Sequence, residues 1–321
     1  MKKNYKFIDL FAGIGGFHYA FHELGAECVF ASEIDPHARK TYEHNLKTLS
    51  PELFSSNKFN DDILKVAFQD IDKQIPDFDI LCAGFPCQPF SQAGFKRGFE
   101  EEKDSRGNMF FRIRDIIKVK RPKAIFLENV RHLLKHDDGK TFSIIKDIIE
   151  NELGYDFHYK IVKASDFGLP QHRPRLFMVG FRKEDKYKTA FKHPKEIPLK
   201  MTMSDIFGGE CNKKVGYTLR VGGRGSGLAD RRNWDSYLVN NEHRRLTSKE
   251  GLVMQGLPKD FEFPVTETQA MKQLGNSVAV KAIKAYGNAI IERLMQERYN
   301  KNPFVKINSR CVHSLYLHST I

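Results

Sequence analysis

Short apolar runs of strand length alternate with segments of helical period through the first half of the chain. Residues 5–10 read as a strand, 16–24 as a helix, 27–32 as a strand, and 36–45 as a helix opened by Pro36, which a first helical turn tolerates. Residues 79–83 and 124–128 are continuous apolar runs of buried-strand length, and the segment 108–119 between them sets Phe110, Ile113 and Ile117 on one helical face. Such alternation implies an α/β fold with a doubly wound, mostly parallel sheet, helices on both sides and ligands at the carboxyl ends of the strands. Residues 141–153 continue the pattern with Phe142, Ile145 and Ile149 on one stripe, and strand-like runs follow at 157–162 and 175–181.

After Phe181 the alternation stops. Residues 182–264 are basic, rich in glycine and short of periodic helices, which marks a smaller second domain of irregular or β character. A single helix is expected over 273–295, with Ile283, Tyr286, Ile290 and Leu294 facing the core of the first domain. The expected division is therefore 1–181 with 270–298 as one domain, 182–269 as a second, and 299–321 as a loose tail.

The formal net charge is +12, and between Lys160 and Glu250 there are 20 Lys and Arg against 10 Asp and Glu. A concentrated positive field suits a polyanion such as double-stranded DNA, although a basic surface also serves solubility alone. No apolar run approaches the roughly 18 residues of a membrane span, so a cytoplasmic, non-membrane protein is expected. The five cysteines, Cys28, Cys82, Cys87, Cys211 and Cys311, lack the spacings of a zinc site and are odd in number, so neither a bound metal nor a disulfide framework is expected. Each reads first as a small buried hydrophobe.

Phe11, Ala12, Gly13, Ile14, Gly15 and Gly16 follow the first strand and open the first helix, where glycines allow close approach of a ligand to free backbone N–H groups. The spacing is not that of a dinucleotide motif, and a plain glycine-rich turn reads equally well. Glu33 lies 20 residues beyond Gly13 at the end of the second strand, where a carboxylate can take two ribose hydroxyls, so an adenosine-containing cofactor is suggested. Asp62 reads either as an acceptor for the adenine amino group or as a solvated loop carboxylate.

Cys87 sits between two prolines in Gly84-Phe85-Pro86-Cys87-Gln88-Pro89 at the exit of an apolar run, where a thiolate would be the best nucleophile of the chain. Glu128, which ends the next apolar run, is hard to explain as core. Partial burial would raise its pKa and suit it to donate a proton to a ring nitrogen.

These strings, together with Gln171-His172-Arg173-Pro174-Arg175 and Gln273-Leu274-Gly275-Asn276-Ser277-Val278, closely resemble the DNA (cytosine-5)-methyltransferases, in the family's order and spacing, from about residue 5 to 294. The resemblance implies a fold of the S-adenosylmethionine-dependent methyltransferases, with S-adenosylmethionine as cofactor and a target-recognition domain at 182–269. It makes Cys87 the nucleophile toward cytosine carbon 6 and Glu128 the group on the ring's third nitrogen and amino group. Arg175 would orient the cytosine and Arg173 the site around it. Phe11 would pack on the adenine, Pro86 would line the cofactor, and Asn276 and Ser277 would close its pocket. Ile34 departs from relatives that carry an adenine-stacking aromatic after the acidic residue.

The segment from Ser91 to Gly107, including Arg106, resembles the family's mobile loop that closes over DNA. Arg220, Arg224, Arg231 and Arg232, among glycines and near Trp234, are candidates to contact bases or phosphates. Arg244-Arg245-Leu246-Thr247 resembles a supporting segment of the small domain, while Gly251-Leu252 departs from it and weakens the helix expected there. The compact chain is similar to bacterial modification enzymes, which implies a monomer with a companion restriction endonuclease. A tRNA cytosine methyltransferase on the same scaffold, or a catalytically inactive DNA-binding regulator, are the competing readings.

Overall fold

The computed structural model describes residues 5–86, 108–185, 187, 189–222 and 224–301. Its strands are β1 Lys6–Leu10, β2 Glu27–Ser32, β3 Phe59–Asn60, β4 Ile80–Gly84, β5 Ala124–Val130, β6 Tyr155–Lys163, β7 Pro174–Arg182, β8 Ser236–Val239 and β9 Glu242–Arg245. The helices are α1 Gly16–His22, α2 Pro36–Leu46, α3 Pro51–Ser55, α4 Ile71–Gln74, α5 Asn108–Lys120, α6 Lys140–Asp147, α7 Met203–Phe207, α8 Ser248–Gln255, α9 Glu267–Asn276 and α10 Val280–Lys301. Seven strands form one sheet in the order β3-β2-β1-β4-β5-β7-β6, and β8 and β9 form a separate hairpin. The pairings among β1 to β5 are parallel, whereas β7 runs antiparallel to both β5 and β6.

The continuous apolar runs become central strands because both faces of the sheet are covered. Successive residues of β4 and β5 enter two different cores: Ile80, Cys82, Ala124 and Phe126 one, Leu81, Ala83, Ile125 and Leu127 the other. The first core is completed by Phe17 and Phe21 of α1 and by Ile283, Tyr286 and Ile290 of α10, the second by Ile113 and Ile117 of α5, Ile145 of α6 and Ile149 of the turn after it. Each such side chain contributes about 1.5–3 kcal/mol on burial. The first core also takes in Trp234, Tyr237 and Met254, so the lone tryptophan is 1% exposed and serves packing, not contact with a partner.

Local chemistry fixes the helix starts. Asp35 accepts from the His37 and Ala38 N–H groups ahead of α2, a cap worth about 1 kcal/mol. Thr247 and Glu250 form a reciprocal capping box at α8. Gly251 therefore does not spoil that helix. It lets α8 approach α9, since a Cβ there would lie 2.8 Å from Leu274 Cδ1.

The single helix expected over 273–295 is instead two. Ser277 is extended (φ −70°, ψ 172°), and the carbonyls of Gly275 and Ser277 turn out of the helical ladder to accept from Arg173. The helix expected at 141–153 changes to π geometry over Ile148–Glu152. At the far end α10 runs to Lys301, past the residue where a loose tail was expected to begin, and 302–321 lie outside the described residues.

Candidate active site

β1 is flanked in the sheet by β2 and β4, so a crevice opens where the chain leaves these strands. Phe11, Gly13 and Gly15 all take positive φ (56°, 56° and 88°) as the chain turns from β1 into α1. The turn directs the Gly13 N–H to Glu33 Oε2 at 2.7 Å, while Glu33 Oε1 accepts from the Asp35 N–H at 2.8 Å. One carboxylate thus ties the exits of β1 and β2 together. Burial pushes the Glu33 carboxyl above its usual range, and the backbone N–H groups oppose that.

A cavity of about 330 Å³ runs from this turn to the end of β5. Phe11, Gly13, Glu33, Ile34, Asp62, Pro86 and Asn276 line it, together with Glu128, Arg173 and Arg175. Ile34 is 65% exposed and offers the cavity an aliphatic edge. Asp62 accepts the Leu64 N–H through Oδ1 at 3.0 Å. Ala12, Gly15, Gly16 and Ser277 do not line the cavity. Ala12 donates to the Ser32 carbonyl, and Gly15 and Gly16 are small for packing, because a Cβ would come within 2.4 Å of Leu46 and 2.5 Å of Val278 respectively. Ser277 Oγ is buried without a hydrogen-bond partner among the described residues.

Cys87 lies outside the described residues, as do Ser91 and Arg106. The chain leading to Cys87 is held at Phe85, whose carbonyl accepts from Asn129 Nδ2 at 2.9 Å. Glu128 pairs in register with Gly84 and is 7% exposed. Arg175 Nε approaches Glu128 Oε1 at 3.0 Å. Burial raises the Glu128 pKa above its usual value, and the positive charges of Arg175 and Arg173 oppose that. A carboxyl whose pKa is raised by burial holds its proton more readily than a free one and can pass it to a base beside it.

Arg173 is 2% exposed and spends its guanidinium on main-chain carbonyls: Leu219 at 3.1 Å, Gly275 at 2.9 Å, and Ser277. The basic candidates further along the chain divide in two. Arg220 and Arg231 are exposed and make no ion pair or side-chain hydrogen bond among the described residues. Arg224 is engaged by Asp235 at 3.5 Å, Glu267 at 3.4 Å and the Leu246 carbonyl, and Arg232 by Asp230 at 2.7 Å.

Two features of the rim had no signal in the sequence. Lys272 of α9 pairs with Asp35 at 3.3 Å across the cavity mouth, and Met109 of α5 reaches the wall. Among the described residues no group of three or more His, Cys, Asp or Glu side chains is placed to hold a metal ion, and no helix is long and apolar enough to cross a membrane.

The family model for C-5 cytosine-specific DNA methylases matches residues 5–222 and 220–292, which is most of the chain. The chain belongs to that family. It is a DNA (cytosine-5-)-methyltransferase, as the resemblance implied. This methylase is 40% identical over 324 residues to the type II methyltransferase M.SsoII of Shigella sonnei, covering 90% of this chain and 81% of that one. It is 39% identical to M.DsaV of Dactylococcopsis salina, with 90% and 87% covered, and 35% identical to M.HhaI of Haemophilus parahaemolyticus, with 87% and 92% covered. Among solved structures, the S. pombe Dnmt2 methyltransferase superposes with a TM-score of 0.69 at 20% identity, covering 91% of this chain and 99% of that one. The Entamoeba histolytica methyltransferase EhMeth gives 0.64 at 18%, with 94% and 99% covered. At those identities the likeness concerns the fold alone, and the fold is that of the methyltransferases.

Proposed function

We propose that this methylase transfers the methyl group of S-adenosylmethionine to carbon 5 of a cytosine flipped out of a short specific duplex sequence, through a transient covalent bond to Cys87. The observation that carries the reading is the buried Glu128–Arg175 pair in the same cavity as the Gly13–Glu33 turn. That donor set fits an adenosine cofactor. Glu33 offers carboxylate oxygens to ribose hydroxyls, Asp62 keeps an oxygen for an amino group, Phe11 and Ile34 supply apolar surface, and Asn276 supplies an amide for the polar end. When bound, the cofactor supplies an electrophilic sulfonium methyl.

The cytosine must first leave the stack, at a cost of a few kcal/mol. Arg175 and Glu128 receive its polar edge. The Cys87 thiolate then adds to carbon 6 while Glu128 gives its proton to the third ring nitrogen, and carbon 5 becomes nucleophilic as an enamine. After carbon 5 takes the methyl group, loss of its hydrogen as a proton drives elimination of the Cys87 thiolate. Glu128 regains a proton as the aromatic ring is restored.

In this reading residues 1–181 and 270–298 form the catalytic unit and 182–269 the target-recognition unit. The enzyme acts in the cytoplasm as a monomer, and it modifies host DNA alongside a companion restriction endonuclease, as the names of its type II relatives suggest. Duplex DNA carrying 5-fluorocytosine at the methylated sites, incubated with S-adenosylmethionine, tests the chemistry. The wild type is expected to form a denaturation-resistant adduct and Cys87→Ala none. Methylation of such DNA without any trapped protein would reject the covalent route.

A further inference from the structure

In the strings that bear the chemistry, the buried Arg173 guanidinium takes no step in the reaction. It reaches three carbonyls on two distant segments. One is Leu219, directly before the exposed Arg220, and the others are Gly275 and Ser277, on either side of the cavity-lining Asn276. Two residues earlier, Gln171 Oε1 accepts the Leu219 N–H at 3.2 Å, so both main-chain polar groups of Leu219 are held from the approach to β7. The same two segments also touch directly. A Cβ on Gly275 would lie 2.5 Å from the Arg220 carbonyl carbon and 2.8 Å from the Val221 nitrogen, a contact of backbone on backbone that no rotamer change could relieve.

We propose that Arg173 is a positioning residue that couples the cofactor wall at Gly275 and Asn276 to the DNA-facing chain beginning at Arg220, so that a ligand in the cavity orders both. This rests on the cofactor site and DNA-facing surface proposed above. Any shift of Asn276 against a ligand moves the flanking carbonyls of Gly275 and Ser277, which share one rigid planar fork with Leu219, and the close packing at Gly275 leaves Arg220 no slack to ignore it. A guanidinium can bridge the two segments because its donors diverge in a plane. An ammonium is a single point and would hold one segment at a time. Coupling between two sites is reciprocal, so DNA held by Arg220 would tighten the cofactor wall to the same degree.

Hydrogen–deuterium exchange of the whole chain with and without S-adenosylhomocysteine tests this. In the wild type the ligand is expected to slow exchange in peptides over 12–16 and 33–35, and also over 219–222, the latter by about 5-fold or more. In Arg173→Lys the first two are expected to keep their protection while 219–222 loses it. Protection in the wild type that stops at the cavity wall would overturn the coupling whatever the stability of the variant, and so would undiminished protection of 219–222 in Arg173→Lys. No wild-type protection at Gly13 or Glu33 would instead fell the cofactor site, and this inference with it.

Discussion

Asn129 Nδ2 donates to the Phe85 carbonyl at 2.9 Å, so the end of β5 grips the main chain two residues before Cys87. The other end of the amide accepts the Val130 N–H at 2.8 Å, which fixes its orientation. Asn129→Ala would leave a buried carbonyl unpaired and loosen the approach to the nucleophile. Turnover is expected to fall about 10- to 100-fold, the cost of a small misplacement of a reacting group. The S-adenosylhomocysteine dissociation constant, read by calorimetry, should change far less than turnover, because the Gly13–Glu33 turn is left intact. Normal turnover would show that Phe85 needs no such anchor.

Glu128 owes its raised pKa to burial, with Arg175 pulling the other way. As a proton donor it works in the protonated form, so activity should decline as pH rises through that pKa. Arg175→Met removes the opposing charge, and the alkaline limb of the pH–kcat profile is expected to move to higher pH even as the rate falls. Glu128→Gln should abolish that limb and lower kcat about 10²- to 10⁴-fold. An alkaline limb unmoved by Arg175→Met would assign it to another group.

Asp9 is fully buried in β1, where burial and the Glu33 charge raise its pKa and the His18 backbone N–H opposes them. The folded state thus binds this proton more tightly than the unfolded chain. Its contribution to stability is complete below the unfolded value near 3.8 and is lost as pH rises through the folded value. Within that window each pH unit removes about 1.4 kcal/mol, equivalent to roughly 2–4 °C of melting temperature. Melting curves between pH 4 and pH 9 should show this decline in the wild type, flattened in Asp9→Asn. Parallel curves for the two proteins would mean Asp9 titrates alike in both states.

The partners of the basic candidates predict how each responds to substitution. Arg220 and Arg231 are exposed without partners among the described residues, and each Ala variant should weaken DNA binding and reduce the slope of log K against log salt by about 0.9 if it meets a phosphate. Arg232 is already neutralised by Asp230 at 2.7 Å, and Arg232→Ala should leave that slope nearly unchanged. Filter binding across a salt series reads all three. An equal loss from Arg232 would show that the ion pair opens on DNA.

The parts of the fold with strong local signals were legible. β2 occupies the residues its apolar run marked, and β5 needed only two residues more because Asn129 and Val130 still pair with β7. β3, at two residues, is too short to leave a period. The break between α9 and α10 was invisible because its cause, Arg173, lies about a hundred residues away. In the site, Gly13 and Glu33 were marked by their spacing as parts of one cofactor site, without the hydrogen bond that joins them, and Glu128 by a carboxyl ending an apolar run, whereas Arg173, Arg175, Asn276 and Ser277 came from the family's strings alone. The engagement of Arg224 by Asp235 and the Lys272–Asp35 pair depend on tertiary contacts that composition does not encode.

The reversed direction of β7 has a plain geometric effect. Arg175 opens its strand opposite Val130, while Phe181, six residues on, lies opposite Ala124 at the other rim. A strand of the same sequence laid parallel to its neighbours would set Arg175 level with Ala124, four residues and roughly 13 Å along the sheet from Glu128, at about 3.3 Å per residue. The cation that steadies the acid is therefore a product of strand polarity, and a doubly wound sheet without that reversal would have to recruit one from elsewhere.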